Sequence, residues 1–124
     1  MRMQIRQAAG FTLVEVMVTV AIIGLVASIS IPNAFKARET AQFNSILNNL
    51  RVIEESKSQW ALENRKGTWD IPSDTDLAIY MKGSTMPLAV VGELYFLNDV
   101  GTPATATAPI QLGEIPAGGS ISTY

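Results

Sequence analysis

The hydrophobic and polar positions divide the chain into three stretches with different patterns. From Phe11 to Ile31 the residues are Val, Ile, Leu, Ala and Met with a few small polar ones, and no polar face recurs. Roughly 20 such residues span a hydrocarbon core as a helix, so the pattern predicts a membrane-crossing helix over 11–32. Over 33–67 the pattern changes. Phe35, Phe43, Ile46, Leu47, Leu50, Ile53 and Trp60 recur at mostly three- and four-residue steps, while Lys36, Arg38, Glu39, Arg51, Glu55 and Arg65 fall on other faces. That is an amphipathic continuation of the same helix, and its aromatic positions read as core contacts rather than a ligand box. Asn64 to Gly67 supply the stop, with Gly67 as the left-handed cap and Arg65 and Lys66 at the negative end of the dipole.

The remaining stretch, 68–124, is more broken. "IPSDTDLAIYMKG" predicts a short second helix with Ser73 and Asp76 as a capping box, Leu77 to Met81 as its body and Lys82-Gly83 as its stop. Asp74 and Asp76 then serve the helix dipole rather than calcium. "LAVVGELYFLN" reads as two short strands around Gly92-Glu93, or one bent strand. "GTPATATAP" reads as irregular, and a further strand is expected near Ile110 to Leu112. The fold class is α+β, a long N-terminal helix packed on a small antiparallel sheet.

Composition narrows the chemistry. A chain of 124 residues suits one small domain, and 9 basic against 11 acidic residues leave a net charge of −2, with no basic patch for nucleic acid. There is no cysteine and no histidine, which excludes disulfides, cysteine lipidation, the common catalytic triads and zinc sites. No nucleophile or phosphate-binding motif appears either, so the chain reads as a non-enzyme. Arg2 and Arg6 are the only charges in 1–10, which places the N-terminus in the cytoplasm and the C-terminus outside. A conventional secretory signal has a shorter apolar core, and only Ala27 to Ser30 offer a cleavage region. A buried core helix is disfavoured because the rest of the chain is too short to enclose it.

Glu15 breaks the apolar run. An ionised side chain deep in a membrane helix costs on the order of 3 kcal/mol, so it either reaches interfacial water or has a partner. A cut between Gly10 and Phe11 would create that partner, an α-amino group whose reference pKa of about 8 keeps it mostly protonated. Gly24 and Ser28 form a small-xxx-small pair where helices approach closely, and Pro32 either kinks the helix or ends the span.

"GFTLVEVMVTVAIIGLVASISIPN" resembles the N-terminal signal and first helix of type IV pilins and type II secretion pseudopilins. The resemblance continues through "TDLAIYMKG" and is weak beyond it. It implies a pilin-like protein anchored by a single pass in the inner membrane with a periplasmic C-terminal domain. Residues 1–10 would be a leader removed by prepilin peptidase between Gly10 and Phe11, with methylation of Phe11. Residues 11–32 would be the transmembrane and polymerisation helix, 33–67 its amphipathic continuation, and 68–124 a small globular region. Glu15 would meet the N-terminal amine of a neighbouring subunit in a homo-oligomeric helical filament. The segment between Gly24 and Pro32 would melt on assembly, and an inner-membrane assembly platform would be a partner. The family's C-terminal turn is kept at Pro116 to Gly119 but its cysteines are absent. Calcium is the family's other device there, and Glu93, Asp99 and Glu114 are the outward carboxylates that could bind it. The alternative is a monomeric, membrane-anchored periplasmic protein whose outer domain binds a partner.

Overall fold

The computed structural model describes residues 9–123, so most of the leader expected over 1–10, including Arg2 and Arg6, lies outside the described residues. One helix, α1, runs Leu13–Glu63 and carries Pro32 within it, so Pro32 does not end the helix. The chain nevertheless divides into two units between Phe35 and Lys36. In the first, apolar side chains of α1 stand exposed on every side, among them Leu13, Met17, Ile23, Leu25 and Ile31. Phe35, expected as a core contact, is exposed too.

The second unit has a core. One face of α1 buries Ile46, Leu50, Ile53 and Trp60, with Phe43 and Leu47 half-buried beside them, as the three- and four-residue spacing requires. Burying each such side chain contributes about 1.5–3 kcal/mol. Helix α1 stops at Glu63, directly before the expected stop at Asn64 to Gly67, but the left-handed residue is Arg65 at φ 52° rather than Gly67. The reversal comes at Arg65 because that lets the Lys66 N–H reach back to the Ala61 carbonyl at 2.9 Å. Gly67 instead donates its N–H to Asp70 Oδ2 at 2.7 Å.

Helix α2 covers only Asp74–Ala78, shorter than the expected body through Met81, but its capping box is formed. Ser73 Oγ accepts from the Asp76 N–H, and Asp76 Oδ2 accepts from the Ser73 N–H. Both aspartates lie in the first turn, and the bonds from Ser73 hold the Asp76 carboxyl below its ordinary range. Leu77 and, beyond the helix, Met81 complete the core.

Three strands, β1 (Leu94–Phe96), β2 (Thr105–Thr107) and β3 (Ser120–Ser122), form an antiparallel sheet in the order β1-β2-β3. Tyr95, Ala106 and Ile121 are in register across it. The central strand is the "GTPATATAP" segment that composition marked as irregular. Ala104, Ala106 and Ala108 alternate inward while Thr105 and Thr107 are half-buried, a period-2 pattern. Of "LAVVGELYFLN" only β1 is strand, because Gly92 takes φ 86° and turns the chain just before it. The strand expected near Ile110 is a single bridge between Leu112 and Ile115, and the last strand lies at 120–122 instead. The turn at Pro116 to Gly119 forms, with Gly118 at φ 78° and the Gly119 N–H on the Pro116 carbonyl.

Candidate functional site

The first unit carries the N-terminal candidates. Gly10 and Phe11 precede α1 in non-helical, exposed chain, Phe11 at 83% exposure. The helix begins sharply because Thr12 Oγ1 accepts from the Glu15 N–H at 3.2 Å while the Thr12 carbonyl receives the Val16 N–H at 3.2 Å. Thr12 therefore caps α1, and with Glu15 three residues on it supplies one half of a capping box. The Thr-x-x-Glu spacing at 12–15 announces that cap, but it overlaps the motif discussed above and is easily absorbed into it.

Glu15 sits in the first turn, exposed, where the helix dipole favours a carboxylate. The polar side chains that follow satisfy themselves locally. Thr19 Oγ1 donates to the Glu15 carbonyl at 2.7 Å, Ser28 Oγ to the Leu25 carbonyl at 2.7 Å and Ser30 Oγ to the Val26 carbonyl at 3.0 Å. Such back-bonding leaves no hydroxyl proton unpaired in an apolar medium. A Cβ built at Gly24 meets nothing within 4 Å, so its surface is open to a neighbouring chain. Pro32 lies within the helix, and the segment between Gly24 and Pro32 is helical here. Helix α1 contains a stretch long and apolar enough to cross a membrane, which fits anchoring in the inner membrane.

The calcium candidates stand apart from one another. Glu93 does not face outward: it is 3% exposed, and its carboxylate accepts from the N–H groups of Val90 and Val91 at 2.8–2.9 Å and from the Tyr95 hydroxyl. Burial alone would push its carboxyl up, but these donors outweigh that and hold it below its ordinary value. Tyr95 is pushed well above the usual phenol range by burial and by the same carboxylate. Asp99 is half-buried in the turn after β1, and Glu114 lines an open groove with Lys36, Glu39, Thr40 and Phe43. Among the described residues no three carboxylates come together as a metal group. The residues present do not fit a calcium ion.

The sequence pattern missed the most buried charge. Lys57, 1% exposed, occupies the same helical face as Ile53 and Trp60, so the spacing alone pointed inward while the residue type pointed out. Its Nζ donates to the carbonyls of Leu97 at 3.0 Å and Thr102 at 2.7 Å and pairs with Glu54 at 2.8 Å. Glu54 Oε1 also accepts the Ala104 N–H at 2.5 Å.

Residues 5–31 match the family model described as the prokaryotic N-terminal methylation motif. The chain is similar to type II secretion system core protein G of Aeromonas hydrophila, 34% identical over 64 residues, covering 52% of this chain and 45% of that protein. The same-named proteins of Vibrio cholerae (34% over 61 residues, 49% and 42%) and Pseudomonas aeruginosa (32% over 62 residues, 50% and 44%) are similar to it as well. The chain thus spans less than half the length of the curated relatives it matches. No solved structure matches it. Methylation motif, relatives and a long helix leading into a small antiparallel sheet agree, and over its N-terminal half the chain is similar to the type II secretion system core protein G.

Proposed function

We propose that this protein is a structural subunit of an envelope filament, a type II secretion pseudopilus or a type IV pilus, built through its N-terminal helix. The observation that carries this reading is a helix apolar on all sides from Leu13 to Ile31, interrupted by Glu15 in its first turn directly after an exposed Gly10-Phe11 bond. Such a helix has no polar face to turn to water, so it needs lipid or copies of itself. Prepilin peptidase cuts between Gly10 and Phe11 and methylates the new terminus. The processed subunit waits in the inner membrane with its outer domain in the periplasm, then passes to the assembly platform. In the filament the apolar helices form a dry core. An unpaired Glu15 there is costly, so the amine of a neighbour's Phe11 selects the axial register. The relatives' names favour the secretion pseudopilus of the two filaments.

The test combines intact-mass analysis of the native protein with electron microscopy of the envelope fraction for wild type and Glu15→Leu. The expected result is a chain beginning at methylated Phe11, filaments for wild type, and lost or mis-registered filaments for the variant. A chain retaining residues 1–10, or filament yield and register unaffected by Glu15→Leu, would overturn the reading and favour a monomeric tether.

A further inference from the structure

The outer domain has no disulfide, and the carboxylates that could have held calcium do not assemble, yet the irregular crossing from β1 to β2, residues 97–104, is tightly held. Gly101 N–H donates to the Thr68 carbonyl at 2.8 Å and Val100 N–H to the Asp70 carbonyl at 3.0 Å. A Cβ at Gly101 would lie 2.1 Å from Thr68 Cγ2, so the loop and the 68–70 segment are in close contact. Asn98, at φ 56°, turns the chain and donates its side-chain N–H to the Pro103 carbonyl at 2.7 Å. These turns fold the carbonyls of Leu97 and Thr102 inward onto one point, and that point is occupied by Lys57 Nζ.

Converging backbone carbonyls plus one carboxylate are the donor set of a hard cation, which takes six to eight oxygens. Here three oxygens meet a single ammonium, and three is the number of protons an ammonium has to donate. Glu54 balances the charge and uses the same oxygen to hold the Ala104 N–H where the loop enters β2. One turn of α1 thus fixes both the interior and the exit of the loop.

We propose that Lys57 is the resident cation of the outer domain, a covalently tethered replacement for a bound metal ion, and that loop 97–104 is ordered without calcium. A divalent ion brought to the same carbonyls would face the ammonium and be repelled by it, so the site is closed to metal as long as Lys57 is charged. The inference stands on the geometry of the outer domain alone and is separate from the filament reading.

Thermal unfolding by near-UV circular dichroism and amide exchange by NMR, on the full chain in detergent micelles with calcium chloride or with a chelator, provide the test. For wild type the expected midpoint and the spectra of residues 93–115 are the same in both solutions. Lys57→Met, which keeps the stem and removes the charge, should speed exchange at Val100, Gly101 and Ala104 by about tenfold or more, the loss of hydrogen bonds to a charged group. Should that variant fail to fold, Lys57→Arg should fold and keep the loop protected. A calcium-dependent rise in the wild-type midpoint, calcium-induced shifts confined to 93–115, or loop protection unchanged in Lys57→Met would each overturn the proposal.

Discussion

Replacing Glu93 with Gln tests whether the bend before β1 is held by charge. The carboxylate faces three donors, the N–H groups of Val90 and Val91 and the hydroxyl of Tyr95. Tyr95 Oη in turn accepts from Asn49 Nδ2 at 2.9 Å, and Asn49 also reaches the Leu88 carbonyl at 3.2 Å, so the cluster ties the bend to α1. Glutamine has the same shape but offers one acceptor oxygen and brings an NH2 of its own. One donor is left facing a donor in a buried site, and the remaining bonds lose their charge assistance. Bonds to a charged group contribute about 1.5–3 kcal/mol against about 0.5–1.5 for neutral ones, so Glu93→Gln should cost about 2–3 kcal/mol at neutral pH. For a folded unit of this size each kcal/mol moves the midpoint by about 4–8 °C, giving a drop of about 8–24 °C. The sign with pH follows from the carboxyl lying below its ordinary 4.5 in the fold. Its contribution is present in full above that value and is lost as the pH falls through the lower, folded-state value. The wild type should therefore lose its advantage in acid, and the gap to the variant, which has no carboxyl there, should close. Thermal unfolding of both proteins across the acid range measures this. A variant within 0.5 kcal/mol of wild type at neutral pH, or a gap that persists undiminished in acid, would refute the reasoning.

Four further outcomes are expected. Ile53→Ala empties a fully buried position on α1 and should cost about 2–5 kcal/mol by chemical denaturation. Leu62→Ala, at an exposed position about two and a half turns on, should change stability by less than about 0.5 kcal/mol. Arg65→Gly relieves a left-handed arginine at the end of α1 and should raise stability by about 0.5–1 kcal/mol in the same measurement. Thr12→Val removes the acceptor for the Glu15 N–H and should speed exchange of that amide about fivefold, the equivalent of about 1 kcal/mol of cap, with Thr12→Ser restoring it.

Local features were legible in the sequence and pairing-dependent ones were not. The long helix, the Ser73–Asp76 box and the Pro116–Gly119 turn depend on contacts within a few residues, so their spacing is sufficient. Strand β2 depends on partners 9 and 15 residues away, Phe96 to Thr105 at one side and Ile121 to Ala106 at the other. A Thr-Ala alternation has too little hydrophobic contrast to announce such pairing. Small alanines suit this strand because both its neighbours carry larger inward residues, Tyr95 and Ile121. Lys57 and Glu93 were hidden for the opposite reason. Residue type argued for solvent, and only the folded chain supplies the backbone carbonyls and N–H groups that make an interior charge tolerable. At the N-terminal segment the order of Gly10, Phe11 and Glu15 was readable, while the Thr12 cap that fixes where the helix starts was signalled by the Thr-x-x-Glu spacing but hidden by its overlap with that motif.

The side chains exposed all round α1 from Leu13 to Ile31 also bear on the energetics of leaving the bilayer. Lipid tails are as apolar as leucine, so exchanging them for neighbouring helices gains little hydrophobic free energy. In the filament reading the membrane then acts as a reservoir whose subunits move between two nearly isoenergetic surroundings. The direction of traffic would be set by Glu15, by contacts between outer domains and by the assembly machinery. Shortening such a filament could return its subunits to the bilayer intact and ready for reuse.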